Sequence, residues 1–525
     1  MSLTVPEQVT VLPGAEPDDR QRRTDPRAYR FPLPALTQLR VRLPDDRVLS
    51  WLAALVVTGI AGVIRVWGIG FPPGVVFDEV YYSTEAREML TNGGYENNPG
   101  YMFIVHPPLG KWFIALGEWL LTDRLHWAKE LGWRLPSALA GTLAVLILVR
   151  VVRRLTRSTL LGCVAGLLLA LDGLSVVQSR VALLDIFLQT LVLAGFGCLV
   201  LDRDMVRTRL ATAAEASRVY SFGPSLGARP WRLAGGVLLG LACGVKWSAV
   251  YFLAGFAVLS VLWDRAARRS AGVRHPGATT ALRDLPGAAL ALGVVPALTY
   301  LATWTGWFLS ENGYNRHWAD DHPSRFTVIP GVLRSLLQYH QQMLDFHNHL
   351  RTPHFYQSEP WSWLVDGRAI SYYYPSGNDA PTGCGAETCV REILAIGTPA
   401  LWWLFLPALV WMVWLLVSRR DWRAGAVLMA FAAGWLTWMV NLERTMFLFY
   451  MVPLVPFLVI GVTLLLGDVL GSARASESRR LWGTAAVCGY LGLVAANLAW
   501  LHPLLVGQLV TYDRWHAVMW FASWI

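Results

Sequence analysis

Phe77-Asp78-Glu79-Val80-Tyr81-Tyr82 sets two carboxylates side by side, a few residues beyond the first membrane-length apolar run. Acidic groups at a membrane face are costly to desolvate, which makes them candidates for chemistry on a membrane-borne substrate. Adjacent side chains cannot point the same way, so the two should have different roles. One can act as general base while the other pairs with a cation. The same residues would also suit the first turn of an amphipathic helix near 79–91, where the macrodipole favours acids. The residues alone leave both readings open.

Four cations, Arg134, Arg180, Lys246 and Arg444, lie at the ends of apolar runs. Each alone is expected to snorkel or to meet a lipid headgroup. Four converging on one face, opposite an acidic pair, suit a phosphate on a lipid carrier, since Arg grips phosphate bidentately and Lys adds a point charge. In His106-Pro107-Pro108-Leu109-Gly110-Lys111 the prolines would start a second helix near 108–121 and leave His106 at its mouth, as a site contact or a structural histidine. The aromatic residues Phe355, Tyr356, Trp361, Trp363, Tyr372, Tyr373 and Tyr374 could stack on a sugar or peptide, or seat a loop at the membrane interface.

The elements that must hold these groups are helices. The chain has 525 residues, is 54% hydrophobic, 15% charged and carries 26 Trp, a balance unsuited to a water-soluble domain. Apolar runs near 20 residues long, without alternation, predict an all-α polytopic membrane protein rather than a β-barrel. Eleven spans are expected, at 50–70, 134–153, 158–173, 182–201, 232–245, 247–263, 285–309, 394–417, 425–441, 445–467 and 481–500. Gly244-Val245-Lys246 is expected to break the fifth from the sixth as a tight hairpin. The formal charge of +9 does not point to nucleic acid, because the Arg clusters fall between spans.

Those clusters set the topology. With the N-terminus inside, the short inner loops hold Arg150/Arg153/Arg154/Arg157, Arg203/Arg207/Arg209, Arg265/Arg268/Arg269, Arg419/Arg420/Arg423 and Arg474/Arg479/Arg480. Residues 1–48, polar and rich in Pro, read as a disordered cytosolic arm, 49–500 as the transmembrane catalytic domain and 501–525 as an extracytoplasmic tail. The unusual residues then collect outside, in a first loop near 71–133 with two interfacial helices, in a large loop near 310–393, and in turns carrying Asp172, Arg180, Asp185, Lys246, Glu443 and Arg444. Arg65 inside the first span is expected to reach the outer interface. Cys384 and Cys389 share the large outer loop, where a local disulfide is expected. No Cys/His metal spacing occurs.

Phe77-Asp78-Glu79-Val80-Tyr81, His106-Pro107-Pro108-Leu109-Gly110-Lys111, Trp133-Arg134-Leu135-Pro136-Ser137, Leu171-Asp172-Gly173, Ser179-Arg180 with Leu184-Asp185, Gly244-Val245-Lys246-Trp247-Ser248 and Trp361-Ser362-Trp363 follow one another in an order that resembles the protein O-mannosyltransferases of GT-C architecture, above all the actinobacterial type. The resemblance spans roughly 50–460. It implies inverting transfer of mannose from polyprenyl-phosphate mannose to Ser or Thr hydroxyls of exported polypeptides at the outer face of the plasma membrane, without a metal or other cofactor. It also implies Asp78 as base and Glu79 as its partner, held by Arg134. Donor contacts are expected from Arg134, Arg180, Lys246, Asp185, His106 and Trp247, and acceptor contacts from Tyr81, Tyr82, Trp361 and Trp363. Membrane lipids and a secretion channel are the further candidate partners. Eukaryotic members carry a soluble β-trefoil module in the large outer loop, for which the loop here is too short. Glu443-Arg444-Thr445-Met446-Phe447-Leu448-Phe449-Tyr450 follows the family's late aromatic segment only loosely.

Two other activities fit a polytopic chain. Another GT-C enzyme would share the donor chemistry and use a glycan or lipid acceptor. A secondary transporter would need mid-span ionisable residues and internal repeats, which the sequence does not display.

Overall fold

The computed structural model describes residues 39, 43–93, 105–216, 222–323, 328–472 and 474–525. Most of the expected cytosolic arm, residues 1–38 and 40–42, lies outside the described residues.

Helices occupy all eleven expected places. Eight are long and apolar enough to cross a membrane: α1 (Arg47–Val66), α4 (Lys129–Thr156), α7 (Asp185–Glu215), α9 (Ala249–Ser270), α10 (Pro276–Thr303), α12 (Pro399–Arg419), α14 (Leu448–Leu470) and α15 (Glu477–Leu505). Shorter are α5 (Thr159–Ala170), α8 (Pro230–Val245) and α13 (Trp422–Trp435). Between α1 and α4 run α2 (Glu79–Thr91) and α3 (Leu109–Gly117), at the places expected for the two loop helices. Further helices include α6 (Gly173–Gln178), α11 (Gly331–His349) and α16 (Tyr512–Val518).

Local chemistry sets the boundaries. Ser158 caps α5 by accepting from the Leu161 amide at 3.2 Å, and Asp172 caps α6 by accepting from Ser175 at 2.8 Å. The second Asp172 oxygen accepts from the Trp402 indole at 2.6 Å, so this buried acid is fully used in joining α6 to α12. α8 carries Gly236, Gly240 and Gly244 at four-residue spacing, and a Cβ at any of them would collide with Ala291, Pro296 or Thr303 of α10. This small-residue seam lets the two backbones touch, as membrane helices do when burial from water cannot drive their association. It also fixes the chain break that follows, where Lys246 adopts an extended conformation before α9 begins.

α14 and α7 form the centre: 89% and 72% of their apolar windows are buried, against 22% for α1, α10 and α15. The arginine clusters gather at one end of the bundle. There Arg153 meets Asp46 at 2.5 Å, Arg154 meets Asp204 at 2.6 Å, Arg229 and Arg232 bind Asp202 and Asp264, and Arg268 meets Asp284 at 2.6 Å. α4 and α7 run from this end to the other, which receives Arg134 and Asp185.

The large loop is more ordered in pattern than its composition suggests. It contains α11 and the strands β1 (Ile370–Tyr373), β2 (Cys389–Arg391) and β3 (Ile393–Ala395), with β1 and β3 antiparallel. Cys384 and Cys389 are disulfide-bonded. The tail returns to this loop instead of standing apart: β4 (Leu509–Thr511) pairs with β2, and the Trp524 indole donates to the Asp366 carbonyl at 2.7 Å. Arg65 does not reach an interface. It is fully buried and donates to Ser179, Ser175 and the Leu169 carbonyl, each at 3.1 Å, so its charge is met by polar groups inside the bundle.

Candidate active site

The link from α1 to α2 makes a sharp turn at Phe77, whose φ of 48° is a left-handed conformation rarely adopted by a bulky residue. Its ring is held there by stacking on Tyr372 at 4.5 Å and by edge contacts with Phe447 and Phe449. Backbone strain of this kind collects where a side chain must be aimed. Here it sends the two acidic residues in different directions.

Glu79 turns inward and is completely buried. The Arg134 guanidinium grips it bidentately, Nε to Oε1 and Nη2 to Oε2, both at 2.9 Å. Its oxygens also accept from the Val76 amide at 3.0 Å and the Ala182 amide at 2.9 Å. Arg134 spends its remaining donors on the carbonyls of Ile69, Pro72 and Gly74. The pair therefore clamps the loop that carries Asp78, and neither member lines the two cavities described next.

Asp78 sits at the start of α2 without capping it, since its carboxylate accepts no backbone bond. Among the described residues that carboxylate makes no hydrogen bond or ion pair; instead Asp78 lines a cavity of about 280 Å³ with Tyr81, Tyr82, His106, Lys246, His347, Arg444 and Tyr450. Burial pushes its carboxyl up to about 6, with Lys246 pulling it down and Asp185 pushing it further up.

A second cavity, about 430 Å³, is lined by Asp185, Lys246, Trp247, Tyr251, Leu344 and Trp438 among others. His106, Lys246, His347, Arg444 and Tyr450 line both cavities and form their common wall. Lys246 Nζ reaches both Asp185 oxygens, at 3.0 and 2.8 Å, and lies 5.5 Å from the centre of the Tyr450 ring. Arg444 donates to Tyr450 Oη at 3.0 Å, to the His347 carbonyl at 3.1 Å and to His347 Nδ1 at 3.3 Å. His347 Nε2 donates to the Val105 carbonyl at 2.8 Å while Nδ1 accepts from Arg444; burial, then Arg444, lower the imidazole to about 4, against the Val105 bond that raises it. His106 is likewise held well below its ordinary value by burial and by Lys246, and its Nδ1 is buried with no partner among the described residues.

Several expected contacts go elsewhere. Arg180 faces neither cavity: it donates to the carbonyls of Arg65, Trp67 and Gly68 at 3.0, 2.7 and 3.0 Å and thereby caps the end of α1. Trp363 is fully buried behind Tyr450, at 6.0 Å between ring centres, and Trp361 is exposed but lines neither cavity. Trp247 does line the larger cavity, its indole donating to Tyr300 at 3.0 Å. Tyr81 and Tyr82 line the smaller one. Sequence reasoning missed His347. Leu336, Tyr339, Met343 and His347 recur along α11 at helical spacing, a signal legible in advance.

The geometry can be set beside known proteins. The family model for dolichyl-phosphate-mannose-protein mannosyltransferases matches residues 55–305, and that for the C-terminal four-helix transmembrane region of protein O-mannosyltransferases matches 332–524. The chain belongs to the protein O-mannosyltransferase family. Members of that family to which it is similar include the polyprenol-phosphate-mannose–protein mannosyltransferase of Mycolicibacterium smegmatis, 41% identical over 92% of this chain and 94% of that one. The enzyme of the same name from Corynebacterium glutamicum is 37% identical over 89% and 91%. The fold is that of GT-C members: the Saccharomyces cerevisiae Pmt1–Pmt2 complex bound to the sugar donor superposes with a TM-score of 0.70 at 14% identity, covering 94% of each chain.

Proposed function

We propose that this chain transfers mannose from a polyprenyl-phosphate carrier to Ser or Thr hydroxyls of exported polypeptides, at the extracytoplasmic face of the plasma membrane and with its N-terminus in the cytoplasm. The observation that carries this reading is that Asp78, alone of the two adjacent acids, opens onto a cavity whose wall it shares with Lys246 and Arg444. Asp78 accepts the hydroxyl proton as the oxygen attacks the anomeric carbon. The bond from that carbon to the phosphate oxygen breaks on the opposite side, so configuration inverts in one displacement. The departing lipid phosphate gathers charge that fixed cations stabilise; Lys246 and Arg444, lining both cavities, supply them. The larger cavity takes the phosphate and the first part of the lipid, and the smaller one takes the acceptor against Tyr81 and Tyr82.

Glu79 and Arg134 act as positioning residues, and Arg180 as a structural one. No metal takes part in this scheme, and a secretion channel is proposed only as a source of unfolded acceptor. Membranes carrying the protein, given radiolabelled polyprenyl-phosphate mannose with and without chelator, test it: label should enter a Ser/Thr-rich peptide, not a glycan or lipid, in both conditions. Label in a glycan alone would move the chain to another acceptor class.

A further inference from the structure

At the opposite end of the bundle lies a third cavity, about 380 Å³, that the transfer chemistry does not use. Three separate segments converge on it: Arg154 and Arg157 at the end of α4, Arg203 and Asp204 within α7, and Arg419, Asp421, Trp422 and Arg423 where α12 ends and α13 begins. Five arginines line it, and two of them are held closely by its two carboxylates. Asp204 is taken by Arg154 at 2.6 Å and Asp421 by Arg423 at 2.5 Å.

The other three form the surplus. Arg203 touches Asp204 only at 3.4 Å and is held instead over the Trp422 ring, 3.4 Å from its centre. Arg419 comes no nearer to Asp468 than 4.0 Å. Arg157, in the left-handed conformation that ends α4, makes no ion pair among the described residues. A concave site with five arginines against two carboxylates focuses positive potential. Planar guanidinium groups on separate segments present forked donors suited to the tetrahedral oxygens of a phosphate.

We propose that this basin binds a phosphoryl anion, a phosphate ester of a lipid headgroup or free phosphate, on the face opposite the transfer site. Such a ligand would tie the end of α4 and the α12–α13 junction to α7.

The test uses the full-length protein in zwitterionic detergent. Phosphatidylglycerol, phosphatidylcholine and inorganic phosphate are titrated in turn, with thermal unfolding and native mass spectrometry as readouts. Arg157→Ala/Arg419→Ala removes two exposed, weakly paired side chains, and continued mannosyl transfer reports that the variant is folded. The expected result is stabilisation of the wild type by phosphatidylglycerol or phosphate over phosphatidylcholine, weakened about tenfold or more in the variant. Response to phosphatidylglycerol alone identifies the headgroup as the source; an equal response to phosphate identifies the free anion. Equal binding by wild type and variant, or no response to either anion, overturns the proposal.

Discussion

Arg134 holds Glu79 by both edges, at 2.9 Å each, in a site from which solvent is wholly excluded, while the preceding residue Asp78 opens onto a cavity. The two adjacent carboxylates are thus separated by surroundings. One is an anchor and the other is free to react.

The anchor is testable by breaking it. Arg134→Ala leaves a buried carboxylate without its cation, a loss of about 3–5 kcal/mol. Thermal unfolding in detergent should show a large drop in midpoint. Glu79→Gln/Arg134→Met, which removes both charges, should recover part of it. A double variant no more stable than Arg134→Ala would deny that the pair works as a clamp.

The pH dependence follows from the Asp78 carboxyl, raised to about 6 by burial. A base must be ionised, so kcat/KM should fall about tenfold per pH unit below 6. The stability effect has the opposite sign. A carboxyl whose folded value exceeds its unfolded one contributes stability that is fully present below the unfolded value and lost as pH rises through the folded one. From this group, acidification through 6 therefore strengthens the fold while activity falls, and activity and unfolding measured together at pH 7 and pH 5.5 should separate.

Lys246 and Arg180, both expected from the sequence to hold the donor, should now behave differently. Lys246→Ala should lower kcat/KM for the lipid donor about 10–100-fold, the loss of one charge-assisted contact. Because Lys246 also neutralises Asp185, Lys246→Ala/Asp185→Asn controls for the carboxylate left behind.

Arg180→Ala should cost about 2–3 kcal/mol of stability through the three carbonyls it caps. The donor KM should stay where it was. A raised donor KM at unchanged stability would return Arg180 to the site.

The helices and the acidic pair were legible in the sequence because both rest on local signals: runs of apolar residues, arginines between them, and a charged dipeptide where charge is costly. The partner of Glu79 came only through the family resemblance of Trp133-Arg134-Leu135-Pro136-Ser137, since position alone set Arg134 among four cations at span ends. Arg180 misled because a cation at a helix end looks the same whether it meets a phosphate or backbone carbonyls; only the path of residues 65–68 decides. Trp363 misled because its burial depends on Tyr450 and Trp438, far away in the chain. The docking of the tail on β2 is likewise a long-range pairing with no local mark.

Asp78→Asn bears most directly on the whole account. Purified wild type and variant, matched for folding by thermal unfolding, are given polyprenyl-phosphate mannose and a Ser/Thr peptide, and label in the peptide is counted. Transfer should fall by about 10²–10⁴-fold, with the unfolding midpoint not lowered, since a destabilising buried charge has been removed. Transfer by the variant within a few-fold of wild type would contradict Asp78 as the base.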